Sequence, residues 1–340
     1  MRNFIGTAES MAGNLWLLAM PLLVAFGVTA LVSPVLIPWL KKLKFGQKIL
    51  EIGPNWHKSK QGTPTMGGIA FILGVLAAIV LLLFVKFSLS LCMMLVISLG
   101  FGLIGFTDDY IKVVKKRNLG LTARQKFLLQ TILAVIYVAV LANTGNLDNH
   151  IIIPFMQKTV QLNWIFYVVL ILFVVTGTVN AVNLTDGIDG LATGITAFVA
   201  LFFAVAAVLL KNIDAVWFSL AVLGGCMAFF MFNKHPAKMF MGDTGSLFLG
   251  GSISVLAVGL KMPIILVIAG FVYLFETLSV IIQVTSYKLT GKRVFKMTPI
   301  HHHFEMCGWK ENKIVGVFTS VTLLLCILGI AAIMPYAQLL

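Results

Sequence analysis

The chain carries few acidic side chains and places them unevenly. Only 12 of its 340 residues are Asp or Glu. Two of them stand together as Asp108 and Asp109, closing an apolar segment in Gly105-Phe106-Thr107-Asp108-Asp109-Tyr110. Adjacent carboxylates repel, and more strongly where the dielectric is low. A shared cation would relieve them, as would a raised pKa on one of the pair, suiting it to accept a proton. A solvated helix end beside Lys112, Lys115 and Lys116 is the plainer alternative.

Four further stretches combine reactive types. Asn183-Leu184-Thr185-Asp186-Gly187-Ile188-Asp189-Gly190 sets two aspartates three apart, each followed by glycine and with no Lys or Arg between them. Glycine permits positive φ and close backbone approach to a ligand, so Asp186 and Asp189 can offer oxygens to a metal or to polar substrate groups; a bland glycine turn would read the same way. Asp243 follows Asn233, Lys234, His235, Lys238 and Phe240 and opens an apolar helix within Gly242-Asp243-Thr244-Gly245. Asp there suits an N-cap. It also suits Mg²⁺, which one or two carboxylates usually hold together with substrate phosphates. In Pro299-Ile300-His301-His302-His303-Phe304-Glu305 the neighbouring imidazoles diverge, which makes a poor zinc site. Hydrogen bonds from His301, His302 and His303 to phosphate or sugar oxygens fit better. His57-Lys58-Ser59-Lys60-Gln61-Gly62-Thr63-Pro64-Thr65-Met66-Gly67-Gly68 gathers cations, hydroxyls and glycines at a helix entrance, a favourable place for an anion. Glu276 lies inside an apolar segment, where an ionisable group is a functional candidate or a bond to a neighbouring helix.

The elements that position these residues are membrane helices. The chain is 59% hydrophobic and 11% charged, against roughly 25% charged in soluble domains. A crossing needs about 20 apolar residues. The apolar runs predict ten crossings near 15–38, 66–86, 89–106, 126–142, 164–182, 191–210, 214–232, 245–260, 262–285 and 314–336. With the N-terminus outside, the inward loops hold 20 of the 25 Lys and Arg, and the outward segments keep Arg2, Lys86, Lys158, Lys211 and Lys261. This asymmetry orients the chain with both termini periplasmic or extracellular and an even number of helices. The formal charge of +13 is thereby explained without nucleic acid. Eight acids, Glu51, Asp108, Asp109, Asp186, Asp189, Asp243, Glu305 and Glu311, fall on the inward side. The charge asymmetry of membrane loops does not concern acids, so their gathering there points to a substrate site. No cleavable signal, internal repeat or linker is read, and the four cysteines show neither disulfide nor metal spacing. The expectation is one all-α polytopic domain over residues 1–340.

Thr63–Gly68, Asp108–Asp109, Asn183–Gly190, Asn233–Gly245 and His301–Glu305 together resemble the motifs of the polyprenyl-phosphate N-acetylhexosamine-1-phosphate transferase superfamily. The histidine run and the Gly62–Gly68 entrance resemble its peptidoglycan branch, the phospho-N-acetylmuramoyl-pentapeptide transferases, over essentially the whole chain and in the same order. The resemblance implies transfer of phospho-N-acetylmuramoyl-pentapeptide from its UDP donor to undecaprenyl phosphate, giving lipid I and UMP in peptidoglycan synthesis. It implies Mg²⁺, ten helices, a homodimer and a bacterial inner membrane with the site on the cytoplasmic face. Residue by residue, it makes Asp243 the Mg²⁺ ligand, with Asp108 and Asp109 as further candidates. Asp108 becomes the base on the lipid phosphate, supported by Asp109. Asn183, Asp186 and Asp189 line the nucleotide and metal region, and Phe240 stacks on uracil. Lys60, Thr65, Lys112 and Lys116 touch phosphates. His301, with a catalytic role, and His302, His303 and Asn233 meet the substrate.

Two rivals remain at this level. A related transferase using UDP-N-acetylglucosamine shares most motifs but not the histidine run. A transporter would place its acids near the midplane, whereas these gather at one face. The orientation is directly testable. Single cysteines at Lys115 and Asp148 are expected to label differently with an impermeant thiol reagent on intact cells lacking an outer barrier, Asp148 alone reacting. Equal labelling would overturn the topology.

Overall fold

The computed structural model describes residues 15–42, 62–114 and 120–340. The order is α1 (Leu15–Lys42), α2 (Gly68–Val85), α3 (Leu89–Val114), α4 (Ala123–Asn143), β1 (His150–Ile152), β2 (Thr159–Gln161), α5 (Trp164–Thr185), α6 (Leu191–Leu209), α7 (Ile213–Asn233), α8 (Gly242–Gly259), a 3₁₀ turn at Pro263–Ile265, α9 (Leu266–Ala269), α10 (Phe271–Thr290), α11 (Ile300–Met306) and α12 (Glu311–Ala337). Among the described residues, eight helices, α1 to α7 and α12, are long and apolar enough to cross a membrane. The protein is an integral membrane protein. Pro263–Ala269 and Phe271–Thr290 together would make a ninth span but are bent by 84°. The run expected as one helix over 262–285 is thus broken at Gly270, which caps α9 by donating its N–H to the Leu266 carbonyl and opens α10.

The helix α8 differs in kind. Its sequence, GDTGSLFLGGSISVLAVG, is rich in Gly, Ser and Thr, and every residue from Thr244 to Val258 is buried. It packs chiefly on α3 and α5, so its surroundings are other helices. Small residues let helix backbones approach closely where lipid supplies little driving force for association. The closest approach is at Gly105, where a Cβ would lie 2.0 Å from the Asp243 carbonyl oxygen. At Gly68 a Cβ would lie 2.3 Å from Gly245 Cα, and Gly68 N donates to the Met241 carbonyl. Midway along α8 the serine hydroxyls return to their own helix: Ser252 Oγ donates to the Phe248 carbonyl and Ser254 Oγ to that of Gly250. Buried polar groups are satisfied locally, as an apolar surround demands.

An exception to the all-helical expectation is a hairpin between α4 and α5, in which β1 pairs antiparallel with β2 through Ile151 and Val160. Ile152 N donates to the Lys261 carbonyl and Phe155 N to that of Ala332, which ties the hairpin to the chain after α8 and to α12. This end of the bundle is opposite the aspartates. All four cysteines are free.

If Gly105 sets the α3–α8 spacing, Gly105→Ala should cost about 1–3 kcal/mol, the usual range for overpacking. The expected readout is a lower melting temperature in detergent than for Gly27→Ala, whose Cβ meets nothing within 4 Å. Equal melting would show that the spacing is set elsewhere.

Candidate active site

The side chains at the centre of the site come from helix ends, which antiparallel packing brings to one end of the bundle. The last turns of α3 carry Asp108, Asp109 and Lys112. The first turn of α4 carries Lys126, the last of α5 Asn183, and the first of α8 Asp243.

Asp243 is the hub. Its Oδ2 receives Lys112 Nζ at 2.8 Å and Lys126 Nζ at 3.0 Å, while its Oδ1 accepts from Asn183 Nδ2 at 2.8 Å. Asn183 also accepts from Lys126 Nζ at 3.2 Å and donates to Ser246 Oγ at 2.8 Å. Lys112 Nζ lies 2.5 Å from Asp108 Oδ2, four residues earlier on the same helix face. Asp108 Oδ1 accepts from Leu121 N at 2.8 Å, which ties the approach to α4 onto the end of α3.

Asp243 does not cap α8 with its side chain. That role falls to Asp109, whose Oδ2 accepts from Thr244 N at 2.9 Å and Thr244 Oγ1 at 2.7 Å. A carboxylate from α3 therefore satisfies an N-terminal amide of α8, where the helix dipole also favours negative charge. Gly242, at φ +70°, turns the chain tightly beneath it; a Cβ there would meet Asp109 Oδ2 at 2.5 Å and Thr65 Oγ1 at 2.9 Å.

Asp108, Asp109 and Asp243 offer oxygens all within 4.8 Å of one another. Hard oxygen donors grouped in this way suit a divalent metal. The Lys112 ammonium, bridging Asp108 and Asp243, shows that the place is shaped for positive charge.

The other expected residues form an outer ring. The backbone of Phe240 pairs with the entrance to α2: Phe240 N donates to the Pro64 carbonyl and Gly67 N to the Phe240 carbonyl. Asn233 is buried, accepting from Thr193 Oγ1 and donating to the Met239 carbonyl. Asp189 turns away from the three aspartates. Its Oδ2 accepts from Ala237 N and meets His235 Nδ1 at 2.9 Å, and its own N–H donates to Glu311. The histidines do not all diverge as expected: the His301 and His302 rings lie against each other, their centroids 4.1 Å apart, while each bonds a different partner. His301 is fully buried against Gly187, whose added Cβ would lie 2.2 Å from its Nε2. His302 Nδ1 meets Glu305 at 2.6 Å, and His303 Nδ1 accepts from Lys296 N on the preceding loop. Lys60 and Lys116 lie outside the described residues.

Sequence reading passed over Lys126, Thr244 and Ser246. Lys126 counted only as one basic residue flanking an apolar run, and nothing local distinguishes it from Arg124.

Asp186 follows α5 half-buried, and desolvation, then the charges of Asp243, Asp109 and Asp189, hold its carboxyl well above the usual range. Such a group favours the folded state when protonated and opposes it increasingly as pH rises above its unfolded value, about 4. Asp186→Asn is therefore expected to raise the metal-free melting temperature at pH 7 but not at pH 4. A stability difference independent of pH, followed in detergent with chelator, would contradict this.

Known proteins resemble the chain closely. The profile described as Glycosyl transferase family 4 matches residues 90–261, and signature 1 of the phospho-N-acetylmuramoyl-pentapeptide-transferases matches residues 60–72. A phospho-N-acetylmuramoyl-pentapeptide-transferase from Bacillus cytotoxicus is 50% identical over 310 residues, 90% of this chain and 95% of that protein. Those from Acetivibrio thermocellus and Bacillus subtilis are each 49% identical, over 92% and 91% of this chain and 94% and 95% of their own lengths.

Proposed function

The chain belongs to the phospho-N-acetylmuramoyl-pentapeptide-transferase family, and from that premise we propose how its site works. The enzyme transfers phospho-N-acetylmuramoyl-pentapeptide from UDP-N-acetylmuramoyl-pentapeptide to undecaprenyl phosphate, releasing UMP and forming lipid I. The observation that carries the mechanistic reading is the hub at Asp243, where two lysines and Asn183 converge beside Asp108 and Asp109.

Both substrates are anions, so a site that joins them must supply positive charge. Asp243, with Asp108 and Asp109 at hand, would hold Mg²⁺, which would supply such charge and offset the negative charge on the departing UMP. Lys112 and Lys126 keep two further cations on the same carboxylate and remain available to phosphate oxygens. Asp108, fixed by Leu121 N and Lys112, accepts the proton of the lipid phosphate. The freed phosphate oxygen then forms a bond to the sugar-side phosphorus as the bond to UMP breaks. Asp109 acts at one remove, holding the first turn of α8 and with it Asp243. Asn183, Asp186, Asp189 and Asn233 border the nucleotide; Phe240 stacks on uracil, and Thr65 with Lys60 and Lys116 meets phosphate. His301, His302 and His303 face the muramoyl side of the donor.

The proposal includes ten crossings, counting α8 and the broken Pro263–Thr290 pair, with both termini outside. It places the homodimeric enzyme in the bacterial inner membrane with its site on the cytoplasmic face. The distribution of Lys and Arg and the enclosure of α8 among spans support this arrangement.

The purified protein with undecaprenyl phosphate and Mg²⁺ is expected to release UMP from UDP-N-acetylmuramoyl-pentapeptide and barely from UDP-N-acetylglucosamine. In the same assay Asp243→Asn should lower turnover by about 10²–10³, as loss of a central electrostatic group does, and should raise the Mg²⁺ needed. Preference for UDP-N-acetylglucosamine would move the chain to a sister branch. An unchanged Mg²⁺ requirement in the variant would remove Asp243 from the metal.

A further inference from the structure

Glu276 is an acidic residue for which the chemistry above has no use. It sits on α10, 0% exposed, in the mainly apolar stretch Phe271–Ile282. A carboxyl group in such surroundings is costly unless it is bonded. Its partner is His301, also 0% exposed, 25 residues later on α11: Glu276 Oε2 lies 3.0 Å from His301 Nδ1 and 3.5 Å from His301 N. Two contacts from one residue to one oxygen fix both the ring and the backbone that carries it. The distal nitrogen, His301 Nε2, is buried with no hydrogen-bond partner among the described residues and lies against Gly187, beside Asp186. Buried polar atoms are rarely left unpaired without a reason.

We propose that Glu276 is the positioning residue for His301: by accepting the Nδ1–H it holds the ring in the tautomer whose Nε2 carries a free lone pair facing the Asn183–Gly190 loop. A neutral imidazole donates through one nitrogen and accepts through the other, so the bond made at Nδ1 decides what Nε2 can do. Nε2 is then held as an acceptor beneath Gly187, which a hydroxyl or amide N–H of the donor's muramoyl group would reach once the Gly187 backbone moves aside, a role that rests on the donor reading above. Gly187 belongs to the same device. Any side chain there would collide with Nε2, and glycine leaves the ring edge covered by backbone alone.

The test separates positioning from folding. Glu276→Leu removes the acceptor and leaves the buried His301 Nδ1 unpartnered, so it should also lower stability, as breaking one side of a buried pair does. Glu276→Gln keeps an oxygen that can accept from both His301 N–H groups. In wild-type protein labelled with ¹⁵N-histidine, the His301 signal, assigned by its loss in His301→Gln, is expected to report protonated Nδ1 and bare Nε2. Glu276→Gln should retain that pattern and stay within about tenfold of wild-type turnover; Glu276→Leu should lose the pattern and fall about 10²-fold in kcat, the scale of a lost polar group in a catalytic site. The melting temperature of Glu276→Gln should stay near wild type, and that of Glu276→Leu should fall while remaining above the assay temperature. A wild-type ring protonated at Nε2, or a Glu276→Leu variant with unchanged tautomer or full turnover, would overturn the proposal. The tautomer measurement needs no substrate, so its failure is distinct from failure of the donor assignment. If Glu276→Leu does not fold, the wild-type and Glu276→Gln spectra still decide the point: loss of the Nδ1–H pattern in Glu276→Gln without loss of fold would also overturn it.

Discussion

Holding three carboxylates together at the edge of an apolar bundle is the constraint on which the rest of the structure depends. Asp108, Asp109 and Asp243 lie close enough to repel strongly. Lys112 and Lys126, an amide from Asn183, and the backbone N–H groups of Leu121 and Thr244 compensate them. Those partners come from α3, α4 and the turn before it, α5 and α8, so satisfying the charge also fixes how four helix ends meet. Removing one partner would leave a buried charge without compensation, which costs far more than the pair itself contributes.

Close helix packing serves the same end. The Asp243 carbonyl reaches Gly105 because neither a side chain on α3 nor one on α8 stands between the backbones. One turn of α3 beyond Gly105, Asp109 can then cap α8 across the interface. The small residues that make α8 too polar to stand among the apolar spans are thus the ones that bring its first turn to the end of α3. Packing and electrostatics are two descriptions of one arrangement: charges set its position along the helices, and glycines set its depth.

A family of transferases that joins a soluble nucleotide donor to a lipid acceptor needs a site at a boundary, and the bundle provides one by its ends alone. The opposite end of the bundle is occupied by different groups. There Asp148 binds Lys261 and His150, Ser88 Oγ donates to Asp214, and the hairpin is tied to α12. That network closes the end far from the chemistry.

Hydropathy and the loop positions of Lys and Arg determined the membrane class, most of the helices and the gathering of acids at one face, because lipid imposes length and charge rules that act locally along a chain. The motif types picked out Asp108, Asp109, Asn183 and Asp243, which the helices bring together, since Asp pairs and Gly-flanked aspartates are recognisable without coordinates. Tertiary structure alone decided how those residues divide the work. The sequence around Asp243 reads equally as a cap or a ligand; only the approach of α3 shows that Asp109 supplies the cap and frees Asp243 for Lys112, Lys126 and Asn183. Lys126 looks like any flanking cation until α4 and α5 are packed side by side. Glu276 and His301, 25 residues apart and on different helices, become a pair only through the break at Gly270 and the return of the loop to α10. Periodicity and composition report what each segment is made of, whereas a hydrogen bond between segments depends on distances that no local pattern encodes.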